Sequence, residues 1–234
     1  MFNVQGTMFN ERMTALRRRP LSIVHWPFPI VCCLCGVLVC AWAGCSSGPT
    51  PPERPKFDPA VAAQEAMAKY DTNHDGTLDQ KELATAPALK YMLEGIKARD
   101  PSHPDSLNAE DIANRVKSWA EGSATIMSGT FTVSLDGEPL EGATITFEPE
   151  PWLGPTYKAH TGLTDKSGFA VLNNALNGYH GIYIGLYTVK ISKLVEGKET
   201  VPEQYNKKTT LGREICADSP FSHDSPFFKL TSKR

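Results

Sequence analysis

Cysteine is scarce in this chain outside one short stretch. Of six cysteines, Cys32, Cys33, Cys35, Cys40 and Cys45 crowd into the first 45 residues, and only Cys216 lies beyond them. A chain that lost this stretch on export could build no disulfide framework. The Cys32, Cys33 and Cys35 cluster has no polar surroundings and no histidine at ligand spacing, which argues against zinc. Paired histidines are also missing. His25, His74, His103, His160, His180 and His223 form no His-x-x-x-His or Glu-x-x-His pair, so zinc hydrolase chemistry has no support. No Gly-rich phosphate loop ends in Lys. Net charge is small: 24 Lys and Arg against 26 Asp and Glu give −2. A nucleic-acid partner is therefore not expected, and neither is an enzyme. His160 and His180 are expected on solvated strands or loops.

The first 45 residues read as an export signal. Arg12, Arg17, Arg18 and Arg19 form a basic region, and residues 30–44 are uncharged and mostly apolar. That run is shorter than the ~20 residues of a spanning helix. Met8 and Met13 offer alternative starts. Without these 45 residues the chain holds 20 Lys and Arg against 25 Asp and Glu, a net of −5. Ala43-Gly44-Cys45 followed by Ser46-Ser47-Gly48 resembles the lipobox of bacterial lipoproteins. That resemblance implies a signal peptide over 1–44, lipid on Cys45, and anchoring to a bacterial membrane. Trp42 stands where that family usually has Leu. Two alternatives stay open: secretion to the exterior or periplasm with cleavage after Ala43, and an uncleaved anchor over 21–43, which His25, Pro27 and Pro29 interrupt. Residues 45–57 are a Pro-rich tether, extended because Pro blocks helix.

The most informative stretch is Asp71-Thr72-Asn73-His74-Asp75-Gly76-Thr77-Leu78-Asp79-Gln80-Lys81-Glu82. A hard divalent cation needs six to eight oxygens at about 2.3–2.6 Å in a loop that wraps around it. Oxygen donors recur here at positions one, three, five, seven, nine and twelve. They are Asp71, Asn73, Asp75, the backbone carbonyl of Thr77, Asp79 and Glu82. Gly76 falls at the sixth position, where the chain must turn sharply. Leu78 falls at the eighth, where a partner loop pairs. The stretch resembles the calcium loop of EF-hand proteins, which implies Ca2+ as cofactor and these six residues as its ligands.

A helix is expected before the loop, over 59–70, with Asp58 as cap and Pro59 in its first turn. Another begins at Asp79 or Gln80 and ends near Ala86-Pro87. A third covers 88–98, where Leu89, Met92, Leu93 and Ile96 share one face, and a fourth covers 112–119. Between the last two lies a second stretch of the same length, residues 100–111, with Leu107 in the place of Leu78. Pro104 replaces the fifth-position carboxylate and Asp105 the glycine; only Asp100, Ser102 and Asp111 could donate. It reads as a partner loop that has lost calcium, with a weak second site left open. Dockerin modules carry similar loops, but the preceding helix and the Glu at position twelve favour the EF-hand likeness.

From Ala124 the period changes to two. Phe131, Val133 and Leu135 alternate with Thr and Ser, Asp136-Gly137 marks a turn, and Ala143, Ile145 and Phe147 alternate in turn. Tyr187, Val189 and Ile191 repeat the pattern. This half resembles the transthyretin-like, carboxypeptidase-regulatory-type domains of exported bacterial proteins. Val133-Ser134-Leu135-Asp136-Gly137-Glu138-Pro139-Leu140-Glu141-Gly142-Ala143, Thr164-Asp165-Lys166-Ser167-Gly168-Phe169, Gly185-Leu186-Tyr187-Thr188-Val189-Lys190-Ile191 and Val201-Pro202-Glu203-Gln204-Tyr205-Asn206 carry the likeness. It implies a non-catalytic module. Related hydroxyisourate hydrolases end in Tyr-Arg-Gly-Ser, which Leu230-Thr231-Ser232-Lys233-Arg234 does not match, so no active site carries over. The fold expected is α+β: an N-terminal helical EF-hand pair over 58–120, then an antiparallel, transthyretin-like β-sandwich over 124–232.

The function these readings imply is a calcium-binding, non-enzymatic exported lipoprotein. Its sandwich would be structural or adhesive, with an unnamed protein or glycan partner. The alternative is a sandwich that binds a small molecule or glycan, or hydrolyses one at a site of unrecognised type.

Overall fold

Four helices open the folded part, and side-chain caps satisfy the first amides of three of them, while the other, Pro87–Arg99, starts on a proline. The computed structural model describes residue 50 and residues 52–172, 175–176, 179–221 and 227–233. Helix α1 is Pro59–Tyr70; the Asp58 carboxylate accepts from the amides of Ala60 (2.8 Å) and Val61 (3.3 Å). A two-residue strand β1, Thr77–Leu78, precedes the single turn α2, Gln80–Leu83. Helix α3 is Pro87–Arg99, β2 is Leu107–Asn108, and α4 is Ala109–Glu121. Asn108 and Asp111 close a reciprocal capping box on α4, each side chain holding the other's backbone amide at 2.9 Å.

Strands follow. They are β3 (Ile126–Met127), β4 (Thr130–Leu135), β5 (Glu138–Pro139), β6 (Thr144–Pro149), β7 (His160–Leu163) and β8 (Phe169–Val171). Then come β9 (Ala175–Leu176), β10 (Tyr179–His180), β11 (Ile182–Tyr183), β12 (Gly185–Ser192), β13 (Leu194–Val195) and β14 (Lys198–Glu199). The last are β15 (Leu211–Ile215) and β16 (Phe227–Leu230). One sheet has the order β15-β12-β6-β7, with every pairing antiparallel. In a second, β4 pairs with β5, β8 and β16. Side chains of the two sheets meet in an aromatic cluster. Phe131 of β4 lies 4.4 Å from Phe147 of β6, centroid to centroid, and Phe228 of β16 lies 6.1 Å from Phe147.

These elements correct the expected fold class. Strands outnumber helices among the described residues: sixteen strands in several sheets stand against four α-helices, the first beginning at Pro59. The helices do not make an N-terminal helical EF-hand pair. Helix α2 is a single turn that stops at Leu83, short of the Ala86-Pro87 end expected for it, and Pro87 starts the next helix. The strand part also departs from a purely antiparallel arrangement, because β16 runs parallel to β4.

Helices and strands lie within one compact unit, Ser46–Arg234. Helix α1 packs on α4, and α3 lies along β15. The approach of α3 is close enough that a side chain at Gly212 would run into the Pro87 carbonyl. Two buried polar clusters hold helix to strand. Glu150, just past β6, accepts from the Tyr70 hydroxyl at 2.7 Å and lies 3.6 Å from the Lys69 ammonium. Arg115 of α4 pairs with Glu214 of β15 and grips both oxygens of Asp218 at 2.8 Å. Trp119 donates to the same Glu214 at 2.7 Å. The Arg115 guanidinium holds the Asp218 carboxyl down to about 2, against the effect of burial.

The described residues of the tether are Thr50 and those from Pro52 onward. There Arg54 donates to backbone carbonyls at the end of α4 and beyond it, those of Trp119 (3.4 Å), Ala120 and Ala124 (3.2 Å), where a cation complements the helix dipole. The signal segment and Cys45 lie outside the described residues. Among the described residues no helix is long and apolar enough to cross a membrane.

Candidate metal centre

The loop 71–82 leaves α1 at Asp71, whose amide still bonds to the Met67 carbonyl at 2.8 Å. The backbone turns through positive φ at His74 (+57°) and Gly76 (+84°). Only glycine takes the second value without strain. The Gly76 amide then donates to Asp71 Oδ2 at 3.0 Å. The other oxygen, Asp71 Oδ1, is buried and has no hydrogen-bond partner, on a residue only 8% exposed. Leaving a buried acceptor without a donor costs about 1–3 kcal/mol, and more when the group is charged.

Glu82 closes the loop from its far end. Its Oε2 accepts from the Asp79 amide at 3.1 Å, and its Oε1 accepts from the Thr72 amide (2.7 Å), the Thr72 hydroxyl (3.0 Å) and the Asn73 amide (3.3 Å). These bonds, the Asp79 amide foremost, hold the Glu82 carboxyl below its usual range although burial opposes them. It stays an anion. Asp75 is held down in the same sense by the hydroxyl and amide of Thr77 and by Asn73. Asp79 accepts from the amides of Lys81 (2.7 Å) and Glu82 (3.0 Å), which caps α2.

So the six expected ligands share one loop but do not yet converge. Asp71 and Glu82 bind the loop's two ends together through the amides of Gly76, Thr72 and Asn73. Asp75 and Asp79 face their own backbone neighbours. Among the described residues no group of three or more His, Cys, Asp or Glu side chains is placed to hold a metal ion. The donor set nonetheless fits a hard cation. It is oxygen only, and no Lys, Arg or His neutralises any of its four carboxylates among the described residues. One buried oxygen lacks a partner.

The second loop runs antiparallel beside the first at one point. Thr77 pairs with Asn108 and Leu78 with Leu107, and both leucines are fully buried. Here the carboxylates have cations from the chain itself. His103 Nε2 lies 3.2 Å from Asp111 Oδ1, and Lys97 pairs with Asp105. Burial disfavours the charged His103 ring, but its bonds to Asp111 and the Pro104 carbonyl, with the charges of Asp111 and Asp100, outweigh that and raise its pKa.

Sequence reasoning missed both polar clusters. Arg115 carried a signal: it falls between Ile112 and Val116 on the apolar face of α4, where a charge implies a buried partner. Which partner, about a hundred residues away, has no local signal. His160, expected on the solvated side, is 1% exposed, packs edge-on to Tyr187 at 6.3 Å, and has its pKa lowered by burial. Cys216 is buried, and desolvation pushes its thiol up to about 12, so it is no nucleophile at neutral pH.

Comparison with models of protein families, with curated proteins and with solved structures found no match to this chain.

Proposed function

We propose that this protein is a non-enzymatic, exported calcium-binding protein in which Ca2+ at the loop 71–82 stabilises the folded part. Asp71, Asn73, Asp75, the Thr77 carbonyl, Asp79 and Glu82 are the ligands. The observation that carries the reading is the buried, unpartnered Asp71 Oδ1, held toward the loop by the Gly76 amide on its sister oxygen. A cation there would remove a standing electrostatic cost.

The role is structural. Tyr70, adjacent to Asp71, donates to buried Glu150 at 2.7 Å, so order in the loop bears directly on the docking of α1 against the strands. Binding to the folded state stabilises it by mass action. Extracellular loops of this type bind at ~10⁻⁴–10⁻³ M, which suits constant loading rather than signalling. Export rests on the segment before Cys45, and lipid on Cys45 would anchor the protein to a bacterial membrane.

Calorimetric titration of the full chain with calcium, beside Glu82→Gln, tests the reading. One saturable site, weakened at least tenfold in the variant, is expected. Absence of heat up to millimolar calcium would end the proposal.

A further inference from the structure

A different site is independent of calcium. Between α3, β4 and β15, a cavity of about 220 Å3 is lined by Tyr91, Phe131, Phe221, Met127, Ser128 and Arg213, together with Glu214. A second cavity, of about 230 Å3, shares Tyr91 and Arg213. Arg213 therefore borders both cavities, which together form a groove.

Its surroundings are unusual for a half-buried cation. It lies 5.2 Å from the centre of the Tyr91 ring and 5.2 Å from that of Phe228. One Nη donates to the Tyr91 hydroxyl at 2.6 Å. Among the described residues Arg213 has no carboxylate partner within ion-pair distance, whereas Arg115, the other arginine of this interior, has two. The nearby Glu214 is already engaged by Arg115 and Trp119. Charged residues farther along the second cavity are Lys90 and Glu94, one of each sign. A guanidinium presents five N–H donors in a planar fork that matches a carboxylate. The aromatic and Met walls suit an apolar body. The cavity falls below the ~300–1,000 Å3 of drug-sized pockets, so the ligand is small.

We propose that this groove binds a small organic monocarboxylate, with its carboxylate on Arg213 and its apolar body against Tyr91, Phe131 and Met127. This assigns a ligand class to the strand part of the molecule that the calcium loop does not explain.

Benzoate is the probe, with benzyl alcohol as its neutral counterpart, titrated into the full chain and followed by NMR shifts. Saturable benzoate binding, at least tenfold weaker in Arg213→Met and at least tenfold tighter than the alcohol's, is the expected result. Melting curves establish that the variant folds. If it does not, Met127→Trp, which fills the cavity and keeps the charge, should abolish binding. No saturation up to about 10 mM benzoate, equal binding of the alcohol, or unchanged binding in Met127→Trp would each overturn the proposal.

Discussion

The two paired loops have the same length and the same buried leucine, yet they solve the same electrostatic problem in opposite ways. The second loop draws on side-chain cations: its own His103 sits on Asp111, and Lys97 of α3 on Asp105. The first draws on none, and leaves Asp71 Oδ1 buried and bare. A buried carboxylate oxygen without an internal donor is the kind of group an external cation would satisfy. Both loops carry histidine at the fourth position, His74 and His103, and among the described residues only His103 reaches a carboxylate of its own loop.

The comparison breaks most easily where the loops touch. Leu107→Ala removes a fully buried side chain from the β1–β2 contact and should cost about 2–5 kcal/mol. If the second loop scaffolds the first, calcium affinity at 71–82 falls as well, although no ligand has changed. Denaturant unfolding and calcium titration of this variant check both effects. Unaltered affinity would mean that the pairing is incidental.

A smaller effect separates the loops by ligand. Calcium at a hundredfold excess over its dissociation constant should raise the unfolding free energy by about 2.7 kcal/mol. Thermal melts should show this rise in the wild type and in His103→Gln, and a rise of about half that or less in Glu82→Gln. A rise abolished by His103→Gln would place calcium in the second loop instead.

The smallest effect is pH-dependent and confined to the second loop. The folded pKa of His103 is raised, so its contribution is fully present below the unfolded value of about 6.5 and is lost as pH rises through the folded value. His103→Gln should therefore cost about 1 kcal/mol or less at pH 5 and nothing measurable well above neutrality. Stability curves of both proteins between pH 5 and 9 read the difference. A larger cost at high pH would have the wrong sign.

Much of the first loop was legible because its signals are local. Asp58 and Pro59 mark the start of α1, Gly76 falls where φ is +84°, and Leu78 falls where β1 pairs. The alternation at Phe131 and Val133, and at Tyr187, Val189 and Ile191, likewise marks strands that bury one face. The fold class was misread because its errors are not local. Nothing near α2 says that four residues suffice before Pro87, and nothing near β16 says that it returns parallel to β4. The buried partners of Arg115 and Tyr70 lie 99 and 80 residues away. His160 was placed in solvent because a lone polar residue in a strand reads as outward. Its alternate neighbours Thr161 and Leu163 are the exposed ones.

The most direct test of the account is the stability of Asp71→Asn, measured without and with calcium. If Asp71 Oδ1 is a bare cation ligand, neutralising it should raise calcium-free stability by about 1 kcal/mol. The same change should abolish the gain from calcium, so that the order of wild type and variant reverses when calcium is added. A variant less stable than wild type in both conditions, with the calcium gain intact, would contradict the account: the carboxylate would then serve only to hold the Gly76 amide.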